Sequence, residues 1–128
     1  MLVRYLYIRN YKAHKNMFDK ITSYIYPPDR LLASKVLKLK LTQVSIFGAG
    51  DLGRGVIQYL HDKPININRW YDSSVKQGKA YFCKREVWSI DNLSHEPCEY
   101  LIIASEVYKK EMITSARTAG FNGHFITL

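Results

Sequence analysis

Cysteine is scarce in this chain of 128 residues, with only Cys83 and Cys98. They form neither a C-x-x-C pair nor a disulfide framework, so zinc ribbons and disulfide scaffolds are excluded. A reduced, cytoplasmic compartment is the expected setting. No apolar run approaches the roughly 18 residues of a membrane span. The mixed basic and aromatic N-terminus, Met1–Asn10, lacks the apolar core and small-residue site of a secretory signal. Gly-x-Ser-x-Gly is absent, and so is any internal repeat. The acids are missing from one place in particular. Residues 1–40 hold nine Lys or Arg against two acids, whereas residues 41–128 hold ten against nine. The net charge of +8 therefore sits almost wholly in the first forty residues. That asymmetry suits a near-neutral domain with a basic extension more than a globally basic nucleic-acid binder.

The organising stretch is Val44-Ser45-Ile46-Phe47-Gly48-Ala49-Gly50-Asp51-Leu52-Gly53. A short apolar run suits a buried parallel strand, and it meets a glycine-rich turn that opens into the helical pattern 51–62. Gly48, Gly50 and Gly53 satisfy G-x-G-x-x-G. The first glycine permits the tight turn, the second admits a pyrophosphate against the backbone, and the third lets helix and strand pack closely. Ile65 to Tyr71 reads as the next strand and ends at Asp72, nineteen residues beyond Gly53. A carboxylate there suits the ribose of an adenosine and repels a 2′-phosphate, favouring NAD over NADP. Asp51 lies inside the turn, where its charge is expected to face the ligand or to cap helix N–H groups. Ser105 falls at the carboxyl edge, just past strand Tyr100–Ala104. The expected nucleotide contacts are thus Gly48, Gly50, Asp51, Leu52, Gly53, Asp72 and Ser105, with NAD or another nucleotide as the cofactor.

The remaining pattern alternates between strand and helix. Met17, Ile21, Tyr24 and Ile25 suggest a helix ended by Pro27-Pro28. Asp29 then reads as an N-cap for a second helix with a Leu32, Val36, Leu39 stripe. Ala80–Phe82 and Glu86–Trp88 suggest short edge strands, and Ser89–Leu93 a single helical turn. Residues 106–119 suggest a helix with Val107, Met112, Ile113 and Ala116 on its packed face, closed by Gly120. A final strand follows. The expected fold is α/β: a Rossmann-like parallel sheet of about five strands, in order 3-2-1-4-5, flanked by helices. The division expected is a basic helical extension, 1–42, and a nucleotide-binding domain, 43–128.

Groups for catalysis are few, and no catalytic residue is assigned. Tyr11-x-x-x-Lys15 has the spacing of a dehydrogenase proton relay but precedes the dinucleotide turn. His95-Glu96-Pro97-Cys98-Glu99 gathers metal-capable side chains, yet the proline breaks the spacing that would converge them, so no metal is expected. Cys83 beside Lys84-Arg85 reads as a structural thiol.

Residues 44–128 resemble the small Rossmann-like nucleotide-binding domains attached to bacterial sugar acyltransferases, to nucleotide-sugar dehydratases and to sugar or FkbM-type methyltransferases. The matching pieces are 44–53, Tyr71-Asp72, Gln77-Gly78-Lys79, Val87–Leu93, Tyr100–Ser105 and Ala119-Gly120-Phe121. The resemblance implies binding of a nucleotide or nucleotide-sugar, in a setting of polysaccharide or sugar-nucleotide metabolism. Such relatives carry a glycine between positions 79 and 87, where this chain has Cys83 or Lys84. Their catalytic neighbour is not expected to follow here, because the chain ends at the fifth expected strand. A binding module is therefore expected rather than a complete enzyme. An NAD-dependent oxidoreductase or sugar-modifying enzyme completed by oligomerisation stands as the alternative, as does a ligand-free interaction domain. Residues 1–42 are the expected surface for a protein partner or a second copy. Nucleic acid is not expected as a partner.

Overall fold

The computed structural model describes residues 27–96 and 98–128. The expected helix around Met17–Ile25, the Tyr11–Lys15 pair and most of the basic extension lie outside the described residues. Within them the order is α1 (Pro28–Lys38), β1 (Gln43–Phe47), α2 (Asp51–Leu60), β2 (Asn66–Tyr71), β3 (Lys79–Phe82), β4 (Arg85–Trp88), a 3-10 helix (Ile90–His95), β5 (Tyr100–Ile103), α3 (Lys109–Thr118) and β6 (His124–Ile126). The strands form one sheet in the order β3-β4-β2-β1-β5-β6. The pairs β1·β2, β1·β5, β2·β4 and β5·β6 are parallel, and β3·β4 is antiparallel. The five parallel strands thus take the expected order 3-2-1-4-5. The sixth, β3, joins as an antiparallel edge because only two residues, Cys83 and Lys84, separate it from β4, and a parallel pair needs a crossover of a dozen or more.

Alternation along the strands divides the core between two faces. On one face Val44 and Ile46 of β1, Trp70, Val87, Ile102 and Ile126 meet Val56 and Leu60 of α2. On the other, Phe47, Tyr71, Leu101 and Ile103 meet Met112 and Ala116 of α3 and Leu93 of the 3-10 helix. Helix α1 joins the first face. Its Leu32, Ala33 and Val36 are fully buried, and Lys35 Nζ donates to the Thr127 carbonyl at 2.6 Å. The described part of the expected extension is therefore packed onto the sheet and shares its core.

Several local expectations change. Asp29 is not the N-cap of α1. Pro27 takes that position and Pro28 opens the helix, its fixed φ and missing N–H costing nothing there. Leu39 follows the helix and is half-exposed, leaving Ala33 in its place on the buried stripe. Val107 is 75% exposed because α3 begins only at Lys109. The end of α3 matches expectation. Gly120 adopts φ +100, its N–H bonds the Arg117 carbonyl, and Phe121 N–H bonds the Ala116 carbonyl. That pairing is a Schellman closure, and it buries Phe121 against the second face.

Candidate functional site

Register brings the site together. Phe47 pairs with Tyr71 on one side and with Ile103 on the other. The residues that follow, Gly48, Asp72 and Ala104, consequently lie abreast at the carboxyl edge of the sheet. Strand β1 is where the chain order reverses, with β2 on one side and β5 on the other, and open α/β sheets bind ligands in the crevice at such a point. An open cleft of about 440 Å³ lies there, bounded by Gly48–Gly50, Asp72, Ser73, Ala104, Ser105 and the start of α3.

The three motif glycines answer to different constraints. Gly48 has φ +124, and a Cβ on it would lie 2.9 Å from the Ala104 carbonyl oxygen. A Cβ on Gly53 would overlap the Gly48 carbonyl itself. Both are glycine because the turn folds back on its neighbours. Gly50 differs. Its φ of −79 is open to any residue, and a Cβ there meets nothing within 4 Å. Its missing side chain leaves free space at the cleft, where a bound group can approach the backbone. Gly50 is also the N-cap of α2 and makes no side-chain cap hydrogen bond. The first-turn N–H groups of α2 therefore lack an internal side-chain acceptor, the condition under which a helix start takes an anion.

Asp72 sits opposite. Its Oδ1 accepts from Ala49 N at 2.6 Å, and its Oδ2 accepts from Ser74 N at 3.0 Å and from the Ser74 hydroxyl at 2.5 Å. Partial burial pushes its pKa up, but the Ser74 and Ala49 hydrogen bonds, aided by Lys76, overcome this and hold it below the usual value of 3.8. The carboxylate is thus ionised at neutral pH and retains lone pairs for ribose hydroxyls. Ser105 is placed differently from a free ligand contact: its Oγ accepts from Tyr108 N at 2.9 Å and fixes the turn into α3.

Of the seven expected contacts, Gly48, Gly50, Asp72 and Ser105 line the cleft. Asp51, Leu52 and Gly53 do not. The Asp51 side chain is 97% exposed and pairs with Arg54 across the first turn of α2, so it neither caps the helix nor faces the cleft. Leu52 packs against the core, and Gly53 is spent on the close helix–turn contact. The structure adds Tyr108, Glu111, Met112 and Ser115 as the far wall. The first turns of the helix after β5 were the available signal, since the crevice of such folds is walled by the elements that leave the carboxyl edge. None of the described lining residues is basic, so phosphate oxygens would have to be met by backbone N–H groups and by hydroxyls such as those of Ser73, Ser105, Tyr108 and Ser115. Among the described residues no group of three or more His, Cys, Asp or Glu could hold a metal ion, and no helix is long and apolar enough to cross a membrane.

Neither a family model nor a curated protein matches the chain. Solved structures do. RSP, a Rex-family repressor, superposes with a TM-score of 0.50 at 17% identity, over 73% of this chain and 49% of that one. RSP in complex with β-NAD+ and operator DNA gives 0.50 at 17% identity, over 73% and 48%. RSP in complex with β-NADH gives 0.51 at 15% identity, over 74% and 57%. At such identities the likeness establishes the Rossmann-like fold. This chain spans about half the length of those proteins. None of the three is one of the sugar-modifying enzymes named above. The expectation that nucleic acid is no partner finds no support either, since one neighbour is bound to operator DNA.

Proposed function

We propose that this chain is a nucleotide-binding module of the NAD(H) class, with the pyrophosphate on the start of α2 and the adenosine ribose on Asp72. Gly50 carries the reading. It is the one motif glycine that the fold itself does not demand, and it stands at an uncapped helix start beside the cleft. Two further points support it. Asp72 is ionised and lies at the expected distance along the chain. Structural neighbours of the same fold bind β-NAD+ and β-NADH.

A binding role is favoured over independent catalysis. The titratable side chains among the described lining residues are Asp72, Tyr108 and Glu111. Asp72 is occupied in holding the turn, which leaves Tyr108 and Glu111 as the titratable groups open to a reaction. Whether the occupied module reports to a partner or serves a sugar-modifying enzyme rests on different supports. The repressor neighbours favour the first and the sequence resemblance the second.

Thermal unfolding with NAD+, NADH, NADP+ and a UDP-sugar tests this. A ligand at 100 times its Kd stabilises by about 2.7 kcal/mol, which raises the melting temperature by several degrees in a domain this small. NAD+ or NADH should produce that shift, and NADP+ a smaller one, because Asp72 repels a 2′-phosphate. A shift with the UDP-sugar alone would transfer the site to nucleotide-sugars. No shift with any of the four would sink the binding role.

A further inference from the structure

The glycine turn is held by the strand beside it. Gly48 N donates to the Tyr71 carbonyl at 2.7 Å. The Gly48 carbonyl accepts from the indole Nε1–H of Trp70 at 2.6 Å, and Ala49 N donates to Asp72 at 2.6 Å. Three consecutive residues at the end of β2 therefore grip three consecutive polar groups of the turn. The Gly48–Ala49 peptide is fixed at both edges, its carbonyl by Trp70 and its N–H by Asp72.

Trp70 is suited to this by its surroundings. Its side chain is 2% exposed and lies in the core on the α2 face, so the indole has little freedom. The Phe82 ring meets it edge-on at 5.9 Å between centroids. A Cβ on Gly53 would come within 3.4 Å of the indole nitrogen as well as overlapping the carbonyl it binds. The third motif glycine thus clears the space in which the indole reaches the turn. An aliphatic side chain at position 70 would be apolar enough for the core but would leave that buried carbonyl without its donor.

We propose that Trp70 is a positioning residue for the phosphate turn, fixing the Gly48–Ala49 peptide so that the amides after it open onto the cleft. This rests on the nucleotide reading above. Its action is on the peptide; it does not line the cleft.

The test uses the full chain in three forms: wild type, W70F and W88F. W70F keeps an aromatic ring in the core, removes the N–H donor and trims the indole to a single ring, so its cost in stability is measured alongside. Calorimetric titration with NAD+ should show at least a tenfold weaker Kd for W70F, about 1.4 kcal/mol. Amide exchange at Ala49, followed by NMR without ligand, should be faster by a similar factor. W88F leaves Trp70 as the one tryptophan of the two in the sequence. Its emission should change saturably with NAD+, at the midpoint that calorimetry gives. Unchanged exchange in W70F overturns the proposal. So does faster exchange with an unchanged Kd, since the turn would then be held in a way the ligand does not sense. Were W70F unfolded, the W88F emission would decide: no response at saturating NAD+ overturns the proposal. Were wild type to bind no nucleotide, the nucleotide reading would fail by itself. The hold on the turn would then be judged by exchange alone, and the role toward a ligand would be withdrawn.

Discussion

Three glycines spaced by a motif turn out to be three different residues. Gly53→Ala places a methyl on a backbone carbonyl that has no room to move. It should cost about 3 kcal/mol, the upper range for overpacking, and urea denaturation would measure it. Gly50→Ala enters open space at an ordinary φ and should cost under about 1 kcal/mol, the difference between a glycine and an alanine cap. Yet Gly50→Ala should weaken NAD+ at least tenfold, since its methyl occupies the ligand's approach. A variant that keeps both stability and affinity would remove the argument drawn from Gly50. Asp72 supplies the matching pH prediction. Its folded pKa lies below the unfolded value, so its contribution is present above pH 3.8 and is lost as pH falls through the folded pKa. Asp72→Asn should therefore flatten the acid limb of the stability profile below pH 4, as read by circular dichroism, and leave the slope at neutral pH unchanged. Tyr71 bends the opposite limb. Burial raises its pKa to about 12, so stability falls as pH rises past 10.

At the scale of elements, the β3–β4 hairpin shows what a resemblance can expose. The sequence lacks the glycine expected between positions 79 and 87. The structure shows the consequence: Cys83 and Lys84 both adopt positive φ, 52° and 62°. A two-residue connection with positive φ at both positions matches the twist of an antiparallel pair, but Asn-Gly suits it better than Cys-Lys. Lys84→Gly should raise stability by about 1 kcal/mol, the left-handed cost removed less part of the entropy that glycine adds to the unfolded chain. Chemical denaturation checks this; an unchanged or lowered midpoint would mean that Lys84 makes a compensating contact. Helix boundaries were less legible than helix existence. Asp29 carries the chemistry of a cap, but Pro27-Pro28 starts the helix two residues earlier. Val107 has the right spacing for the packed face of α3, but the Ser105–Tyr108 turn keeps it outside the helix.

At the scale of the whole fold, the described residues form a sheet covered on both faces, and α1 belongs to that covering. The sequence marks residues 1–42 as a basic helical extension, and in the described part of it Leu32, Ala33 and Val36 are fully buried. Leu32→Ala should cost about 2–5 kcal/mol, the usual range for a large core deletion. A chain beginning at residue 43 would uncover the parts of α2 and β6 that α1 packs against. It should aggregate or melt well below the full chain, as calorimetry would show; equal melting would return α1 to the status of an appendage. The sequence by itself determined the succession of strand, turn and helix, the parallel order around β1, the phosphate-type turn and the acid at the end of the next strand. These depend on local spacing, apolar periodicity and glycine conformation, all of which are written along the chain. Only the tertiary structure decided that Trp70 grips the turn and that Tyr108, Glu111 and Met112 wall the cleft. Those outcomes depend on strand register and on which helix face meets the sheet. Residues far apart in the chain set them jointly, so no stretch of sequence records them alone.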